Sequence, residues 1–267
     1  MKSSYLTITV LILSILSMGC QGSPIEPPSV TPSLPLPAAT PTPLEVTLQN
    51  EKIMILEPAP GSRAISPLLV SGIADSTFEQ TLVVRLLLED GSQLAFQPTM
   101  IRSELGQRGP FELALEFNIS GEQQAFIQVF EQSARDGEIT HLSSVGITIA
   151  ENGPAQIHRL EPGPEQITIF QPSVRDRIQG GLAHVRGYGW ASFEQTLVIE
   201  VQDENGMVVG SMPILVEAPD LGQPGHFSAQ VPYQVTSSGP GRILVRDISP
   251  AFGGDVHRTS VEIELAP

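Results

Sequence analysis

Phe78-Glu79-Gln80-Thr81-Leu82 occurs twice in this chain: it returns letter for letter as Phe193-Glu194-Gln195-Thr196-Leu197, 115 residues further on. The same features surround each copy in the same order. An Ile-x-Ile segment and a proline come before it, an acidic or amide residue with glycine comes after it, and Gly-x-Phe follows. The chain is therefore predicted to be a tandem repeat.

Each repeat is predicted to contain about seven short strands separated by turn residues. The predicted strands of the first repeat cover residues 53–56, 67–72, 81–89, 93–99, 111–117, 125–131 and 139–149. The chain has 24 Gly, 24 Pro and only 5% aromatic residues, which suits short strands and turns better than long helices. We predict an all-β protein with two tandem immunoglobulin-like β-sandwich domains; a small β-barrel is the alternative.

The strand after the shared motif shows which residues face the core. One set of alternate positions is apolar in both copies, namely Leu82, Val84 and Leu86 in the first and Leu197, Ile199 and Val201 in the second. This set is predicted to be buried. On the other face Arg85 corresponds to Glu200, so that face is predicted to carry charge and to be partly wet.

The chain begins with a predicted lipoprotein signal peptide, residues 1–20. Lys2 precedes an apolar run over residues 5–16, and Ser17-Met18-Gly19-Cys20 then resembles a lipobox. The most common lipobox has Leu three residues before the cysteine, whereas here Leu16 lies four before it. Cys20 is predicted to be diacylated with palmitate-type chains, which places the protein outside the cytoplasm, anchored to the bacterial cell membrane. The alternative is a free cysteine after an ordinary signal or in an uncleaved anchor.

The rest of the chain divides into a tether and two domains. Residues 21–50 are rich in Pro, Ser and Thr and are predicted to form an extended tether. The predicted domains cover residues 51–150 and 167–267. The connector, residues 151–166, is short and contains three prolines, which predicts two beads with limited swing.

The charge of the chain excludes one class of partner. The formal net charge is −15, and it becomes −16 when Lys2 leaves with the signal peptide. Such a surface repels nucleic acid, so no nucleic-acid partner is expected.

With these residues aligned, each repeat resembles the immunoglobulin-like domain of bacterial spore-germination lipoproteins, the second GerM-associated domain type. The resemblance rests on the Ile-x-Ile strand with its proline, on Val-x-Gly at Val70-Ser71-Gly72 and Val185-Arg186-Gly187, on Phe-Glu, and on Gly-x-Phe. It implies an extracytoplasmic accessory domain without known catalysis. This chain has two such domains and no recognisable GerM domain.

The shared motif is the first candidate site. Glu79 and Glu194 occupy the same place in both copies, but neither has the further oxygen ligands that calcium needs. We predict that they cap backbone N–H groups or close a turn, and that Phe78 and Phe193 belong to the core.

Tyr188 and Trp190 form an aromatic pair between glycines and are the candidate ligand contacts, since aromatic rings stack on sugars. Ile73 occupies the position equivalent to Tyr188, which favours burial there. Packing is the alternative role for both.

No catalytic constellation is evident. The five histidines are scattered and none has metal-ligand spacing to another, so we predict no metal, no cofactor and no catalysis. The leading hypothesis is a lipid-anchored envelope protein that binds or scaffolds peptidoglycan, another glycan or an envelope protein. The alternatives are a hydrolase whose site forms between the two domains, and a purely structural spacer.

Overall fold

The structure, a computed structural model, describes residues 48–267. The predicted signal peptide, Cys20 and nearly all of the predicted tether lie outside the described residues. The regular secondary structure of the described part is β-strand, apart from one 3₁₀ turn at Phe78–Gln80. None of its helical segments is long and apolar enough to cross a membrane.

Eight strands form in each half of the described chain. Those of the first half are β1 (Ile53–Glu57), β2 (Arg63–Ala64), β3 (Leu68–Ala74), β4 (Thr81–Leu88), β5 (Gln93–Met100), β6 (Gly109–Leu115), β7 (Glu122–Gln132) and β8 (Ile139–Ala150). Those of the second half are β9 (Ile167–Gln171), β10 (Arg177–Ile178), β11 (Leu182–Gly189), β12 (Thr196–Gln202), β13 (Val208–Leu215), β14 (Gly225–Pro232), β15 (Gly239–Ile248) and β16 (Asp255–Leu265). The predicted strands are confirmed, and the short β2 is added to them.

The strands pair in the same order in both halves. A three-stranded sheet in the order β1-β3-β6 covers one face of the first half, and β9-β11-β14 does the same in the second. Each small sheet packs on a larger one across a separate apolar core. The all-β, sandwich-like fold predicted from strand spacing is confirmed.

The larger sheet runs through both halves without a break. Its strand order is β13-β12-β15-β16-β8-β7-β4-β5, because β16 pairs with β8 through His257 opposite Ser143 and Arg258 opposite Leu142. The connector is also fixed: Gln156 and Arg63 exchange both backbone hydrogen bonds at 2.8 Å, so this segment lies along the first half. The prediction of two beads with limited swing is therefore wrong, since backbone pairing joins the halves.

The predicted register of β4 and β12 is correct on its apolar face. Leu82, Val84, Leu86, Leu197, Ile199 and Val201 are all fully buried. The opposite face is drier than predicted. Glu200 is only 8% exposed because it pairs with Arg246, and the Arg85 guanidinium lies over the ring of Phe130. This face is covered in both halves, because the β15–β16 hairpin reaches Gln128 and Phe126 of the first half and the β7–β8 hairpin reaches Arg242 of the second.

The two free edges of the large sheet are blunted in the same way. Pro98 in β5 and Pro213 in β13 stand opposite Val83 and Val198, at corresponding places in the two halves. Proline has no N–H to donate, so a row of open hydrogen-bonding groups is interrupted at each edge.

Candidate functional site

Four ionisable side chains converge in the interior where the two halves meet. Glu51 lies just before β1, Glu165 just before β9, His141 in β8 and His257 in β16. None of the four residues is more than 7% exposed. We call this set the junction cluster.

The junction cluster is closed on itself. The Nε2 atom of His141 lies 3.0 Å from Glu51 Oε1 and 3.6 Å from Glu165 Oε1. The Nε2 atom of His257 lies 3.2 Å from Glu165 Oε1 and 3.9 Å from Glu51 Oε1. Each ring nitrogen therefore faces one oxygen of each carboxylate, and the two rings meet edge to face at 5.3 Å.

The second oxygen of each carboxylate is held by the backbone. Gln166 N donates to Glu51 Oε2 at 2.9 Å, and Lys52 N donates to Glu165 Oε2 at 2.7 Å. Ser143 Oγ also donates to Glu51 Oε1 at 2.9 Å. These bonds fix both carboxylates, so that one oxygen of each remains directed at the histidines.

The cluster has local two-fold symmetry, because its members occupy equivalent positions in the two repeats. Glu51 and Glu165 each stand two residues before the first strand, and His141 and His257 each stand ten residues beyond an acidic partner in the preceding strand, Glu131 or Asp247. Glu131 and Asp247 also bind the residue that follows the glutamate in their own half. Lys52 forms an ion pair with Glu131, and Gln166 Nε2 donates to Asp247 at 3.0 Å.

Electrostatics favour the ionised form of the Glu51 carboxylate in this cluster. Burial works against ionisation of Glu51, but the charge of His257 and the hydrogen bond and charge of His141 hold its pKa at about 2. Burial would lower the pKa of His257, yet Glu51, Glu165 and Asp247 together raise it above its usual value.

Two imidazole nitrogens and two carboxylate oxygens are ligand types that bind transition metals. Within residues 48–267 this set is the one that could hold a metal ion. The prediction that all five histidines are scattered is wrong for His141 and His257, which the β8–β16 pairing brings together. The sequence does contain an indication of this site, because a Glu and a His occur at matching positions in both repeats. Metal-ligand spacing within a single segment does not reveal it, since the ligands come from distant segments.

Two cavities border the cluster. One, of about 300 Å³, is lined by Glu51 and His257 together with Met54, Leu160 and Trp190. The other, of about 490 Å³, is lined in part by His141 and Glu165. Each cavity is therefore bordered by one histidine and one glutamate of the cluster.

The two aromatic residues proposed as ligand contacts, Trp190 and Tyr188, lie in different environments. Trp190 is half-buried and lines the smaller cavity. Tyr188 is half-buried elsewhere in β11 and meets His226 edge to face at 5.1 Å. The structure does not bring Tyr188 to the cavity that Trp190 borders, so the pair does not form one stacking platform there.

The shared motif forms an exposed turn rather than a core anchor. Phe78 is 63% exposed and Phe193 is 47% exposed, so the prediction that both belong to the core is wrong. The reason is backbone conformation: Glu79 and Gln80 have φ angles of 54° and 56°, which turn the chain outward before β4 begins. The equivalent Glu194 and Gln195 have φ angles of 47° and 54°.

The glutamine of each motif joins the turn to a neighbouring loop by hydrogen bonds. Gln80 is 3% exposed, and its Nε2 donates to Ser103 Oγ at 2.8 Å and to Glu104 O at 2.9 Å. The backbone carbonyl oxygen of Gln80 accepts a hydrogen bond from Ile101 N at 2.8 Å. Gln195 acts in the same way, since its carbonyl accepts from Val216 N and its Nε2 donates to Asp220 O, both at 2.8 Å.

Glu79 and Glu194 are exposed beside these glutamines. In the described part of the chain the turn is closed by the backbone and by threonine, with Thr77 Oγ1 donating to Thr81 O at 2.8 Å. The hydrogen bonds found there include none to the Glu79 carboxylate, so its predicted capping role has no partner in this structure.

An exposed apolar side chain lies on each loop that the glutamines hold. Leu105 is 78% exposed on the β5–β6 loop, and Leu221 is 76% exposed on the β13–β14 loop. Each half therefore presents a Phe from the turn and a Leu from the loop to which that turn is bonded. We call Phe78 with Leu105, and Phe193 with Leu221, the apolar tips.

The first half matches a known family. Residues 52–138 match the family model described as the immunoglobulin-like domain of bacterial spore germination. The resemblance predicted from the motifs is confirmed for this segment. A match of the second half to this family stays a prediction.

Three solved structures show a distant likeness to this chain. Red sea bream transglutaminase is 9% identical over 81% of this chain and 31% of its own, with a TM-score of 0.28. A chimeric titin Z1Z2 tandem is 14% identical over 80% and 97% (TM-score 0.23), and bovine butyrophilin is 12% identical over 80% and 98% (TM-score 0.23). The chain spans less than a third of the transglutaminase chain. Among curated proteins, no sequence matches.

Proposed function

We propose that this chain is a non-catalytic, lipid-anchored envelope protein that binds another envelope protein through its two apolar tips. The observation that carries the proposal is the repeated tip itself. In each half an exposed Phe and an exposed Leu sit on two loops that a glutamine amide fastens together.

A single exposed apolar residue needs no explanation, because much of any protein surface is apolar. The tips differ in being repeated and in being held in a costly conformation. Two consecutive non-glycine residues with positive φ occur in each turn, and such backbone strain persists where the surroundings enforce it, often at functional sites. A retained, strained turn that directs Phe outward in both halves favours a binding role.

The unbroken sheet supports a two-point contact. Because β8 and β16 pair directly, the tips belong to one body and their separation is fixed. A partner with two matching sites would gain from the second contact without a large entropic cost.

The tip chemistry favours a protein partner over a wall polymer. The Phe ring of each tip could stack on a sugar, but the Leu beside it, Leu105 or Leu221, is aliphatic and cannot, so the tip as a whole suits an apolar protein surface better. The acidic surface also disfavours anionic polymers and favours a partner with basic residues around an apolar site.

The predicted Cys20 anchor and the Pro-rich tether supply the location for this role. A diacylated cysteine is a stable membrane anchor, and an extended tether of thirty residues could span roughly 90 Å at about 3.1 Å per residue. The family match of residues 52–138 is consistent with an envelope or germination-related role.

The hydrolase alternative has one observation in its favour. Two histidines and two carboxylates meet between the halves, as an interdomain active site requires. All four are buried, however, and their functional atoms contact one another. A substrate in either cavity would have to break these contacts before it could reach a functional atom, and this favours the non-catalytic role.

The test is cross-linking of the full-length chain in envelope fractions, with single and double tip variants. Phe78→Ser and Phe193→Ser should each weaken partner capture, and the double variant should abolish it. Phe96→Ser removes another exposed Phe, from edge strand β5, and serves as the control. Equal capture by the wild type and the double variant would refute the proposal; peptidoglycan co-sedimentation that survives the double variant would favour a wall polymer.

A further inference from the structure

We propose that Glu51, His141, Glu165 and His257 form a closed, four-ligand site for one Zn²⁺-like transition-metal ion that fastens the two halves together. This inference does not depend on the binding role of the tips. It concerns what stabilises the junction, and nothing in the repeat motif or the family match assigns it.

The separations of the ligand atoms fit a tetrahedral ion. Zinc binds imidazole nitrogen and carboxylate oxygen at about 2.0–2.2 Å, so the ligand atoms of a regular tetrahedral site lie about 3.3–3.6 Å apart. The four N···O separations in the junction cluster are 3.0, 3.2, 3.6 and 3.9 Å, on both sides of that value. Movements of a few tenths of an ångström would make these four separations regular, and the N···N and O···O separations, which are all within 4.8 Å, would have to close to the same value.

The arrangement differs from what hydrogen bonding alone requires. A ring nitrogen with one hydrogen needs only one carboxylate oxygen, and the shorter contact of each histidine supplies it. Here each Nε2 also faces the oxygen of the other carboxylate, which places four ligand atoms within 4.8 Å of one another. A common centre for all four atoms is what a metal ion would occupy.

Each of the two carboxylates is positioned to offer one oxygen to the metal ion. Glu51 Oε2 and Glu165 Oε2 are engaged by Gln166 N and Lys52 N, which leaves both Oε1 atoms for the centre. Bonds of this kind orient metal ligands and are a regular part of metal sites. Ser143 Oγ adds a further bond to Glu51 Oε1, and it would remain close to a bound ion.

Charge and ligand type both favour zinc. A dication with two carboxylates and two neutral imidazoles has no net charge, as a fully buried site requires. Calcium takes about six to eight oxygen ligands and magnesium about six, so a set of four with two nitrogens suits neither. Copper(II) and nickel(II) prefer square or tetragonal sites.

Burial makes the site structural. Four protein ligands complete a tetrahedral ion, and a catalytic zinc needs an open position for water or substrate. The ion would lie on the local two-fold axis and connect four segments: the approach to β1, the approach to β9, and strands β8 and β16.

The test is metal analysis and calorimetry on the full-length chain. We expect one zinc per chain after purification, a fall in Tm on prolonged chelation, and recovery of Tm with one equivalent of Zn²⁺. Co²⁺ added to the chelated protein should give the intense visible bands of a tetrahedral complex. No bound metal together with no response of Tm to Zn²⁺ or Co²⁺ would overturn the proposal, as would an octahedral Co²⁺ spectrum.

Variants separate the site from adventitious binding. His257→Gln and Glu165→Gln should each weaken Zn²⁺ binding by more than the about 10- to 100-fold effect of losing a group that only orients a ligand. His184→Gln and Glu194→Gln change exposed residues outside the cluster and should bind one equivalent normally. Unchanged binding in both cluster variants would refute the site, and if they fail to fold the wild-type titration still decides.

Discussion

Glu51 and Glu165 each accept a hydrogen bond from the backbone of the residue that follows the other: Gln166 N donates to Glu51 Oε2 at 2.9 Å, and Lys52 N donates to Glu165 Oε2 at 2.7 Å. The two glutamates occupy equivalent positions, so the exchange is reciprocal. One of the two residue pairs of the β8–β16 contact, Leu142 opposite Arg258, likewise joins equivalent positions of the two halves. The junction therefore has the self-complementary form of a two-fold dimer interface inside one chain.

Hairpin loops reinforce the junction from both sides. The β15–β16 loop of the second half places Phe252 against Phe126, with ring centroids 5.1 Å apart. The β7–β8 loop of the first half carries Arg135 and Asp136 to Glu262 and Arg242. Each half thus extends its last hairpin over the other.

We predict from this junction that residues 48–267 unfold in a single cooperative transition. Separating the halves would expose the junction cluster and break the β8–β16 pairing, so neither half should unfold alone. Guanidinium denaturation followed by far-UV circular dichroism and by Trp190 fluorescence should give coincident midpoints. Two resolved transitions, or a fluorescence midpoint well separated from the dichroism midpoint, would contradict the prediction.

Asp136 is expected to make the junction sensitive to acid. Burial alone would raise its pKa, but hydrogen bonds from Ser133 and Glu138 N–H and the charge of Arg242 hold the pKa below its usual value. A lowered pKa stabilises the fold above the unfolded value near 3.8, and this stabilisation is lost as pH falls through the folded pKa.

The variant Asp136→Asn should therefore cost stability at neutral pH and show a shallower loss below about pH 4. We expect a cost of about 2 kcal/mol, less than the about 3–5 kcal/mol typical of a broken buried pair. The reason is that Arg242 keeps Glu262 Oε1 at 2.7 Å. Urea denaturation at pH 7 and at several lower pH values measures both effects, with exposed Glu194→Gln as the control. Parallel pH profiles for variant and wild type would refute the prediction.

Much of the fold could be predicted from the sequence because it depends on local patterns. Alternation of apolar residues identified the strands and the buried set at Leu82, Val84 and Leu86, all of which are fully buried. The motif was harder to interpret. A Phe next to a strand is usually core, and neither composition nor periodicity shows that Glu79 and Gln80 adopt positive φ and turn Phe78 outward.

The junction could not be predicted in the same way, because its contacts join residues about 90 to 115 positions apart. Which strand of one sandwich pairs with which strand of the other depends on complementary surfaces, and a proline-rich connector is compatible with either separate or joined domains. The match between Glu51 and Glu165, and between His141 and His257, was present in the repeat. It acquires meaning only when β8 and β16 are known to be neighbours.

Cys20 is expected to hold the protein on the membrane. The variant Cys20→Ser cannot be diacylated, so it should leave the membrane pellet or accumulate with its signal peptide uncleaved. Fractionation, together with mass spectrometry of the N-terminal peptide, distinguishes lipidated from free cysteine. Asn50→Ser, a substitution beyond the tether prolines, is the matched control and should stay with the membrane. Equal membrane retention and equal processing of Cys20→Ser and wild type would show that anchoring has another cause.

Gln80 is predicted to matter more for stability than Phe78, although both belong to the repeated motif. Gln80→Ala removes a buried amide that donates to Ser103 Oγ and Glu104 O, and it should cost about 1–3 kcal/mol. Phe78→Ala should change stability by no more than about 0.5 kcal/mol, since the ring is largely exposed. Hydrogen exchange should show residues 102–108 loosened in the first variant only. A larger stability loss in Phe78→Ala than in Gln80→Ala would mean that the turn is held by the aromatic ring.

Gly72 and Gly187, the glycines of the two Val-x-Gly segments, are predicted to tolerate no side chain. Each stands opposite a core phenylalanine in the neighbouring strand, Phe111 or Phe227. A Cβ at Gly72 would lie 2.1 Å from Met54 O and 2.5 Å from the Phe111 ring, and a Cβ at Gly187 would meet Phe227 at 2.2 Å. Backbone lies on one side, so the clash cannot be relieved by rotating a side chain. Gly72→Ala and Gly187→Ala should each cost about 3 kcal/mol, at the upper end of typical overpacking.

Gly146 supplies the matched control for these two variants. It lies within strand β8, and a Cβ there would make an ordinary contact with Phe126 at 3.6 Å. Gly146→Ala should therefore be neutral or stabilising by up to about 1 kcal/mol, because alanine loses less backbone entropy on folding than glycine does. Denaturant unfolding of the three variants measures the difference. If Gly72→Ala were as stable as Gly146→Ala, the close approach of β3 to the Phe111 ring would not be needed for the fold.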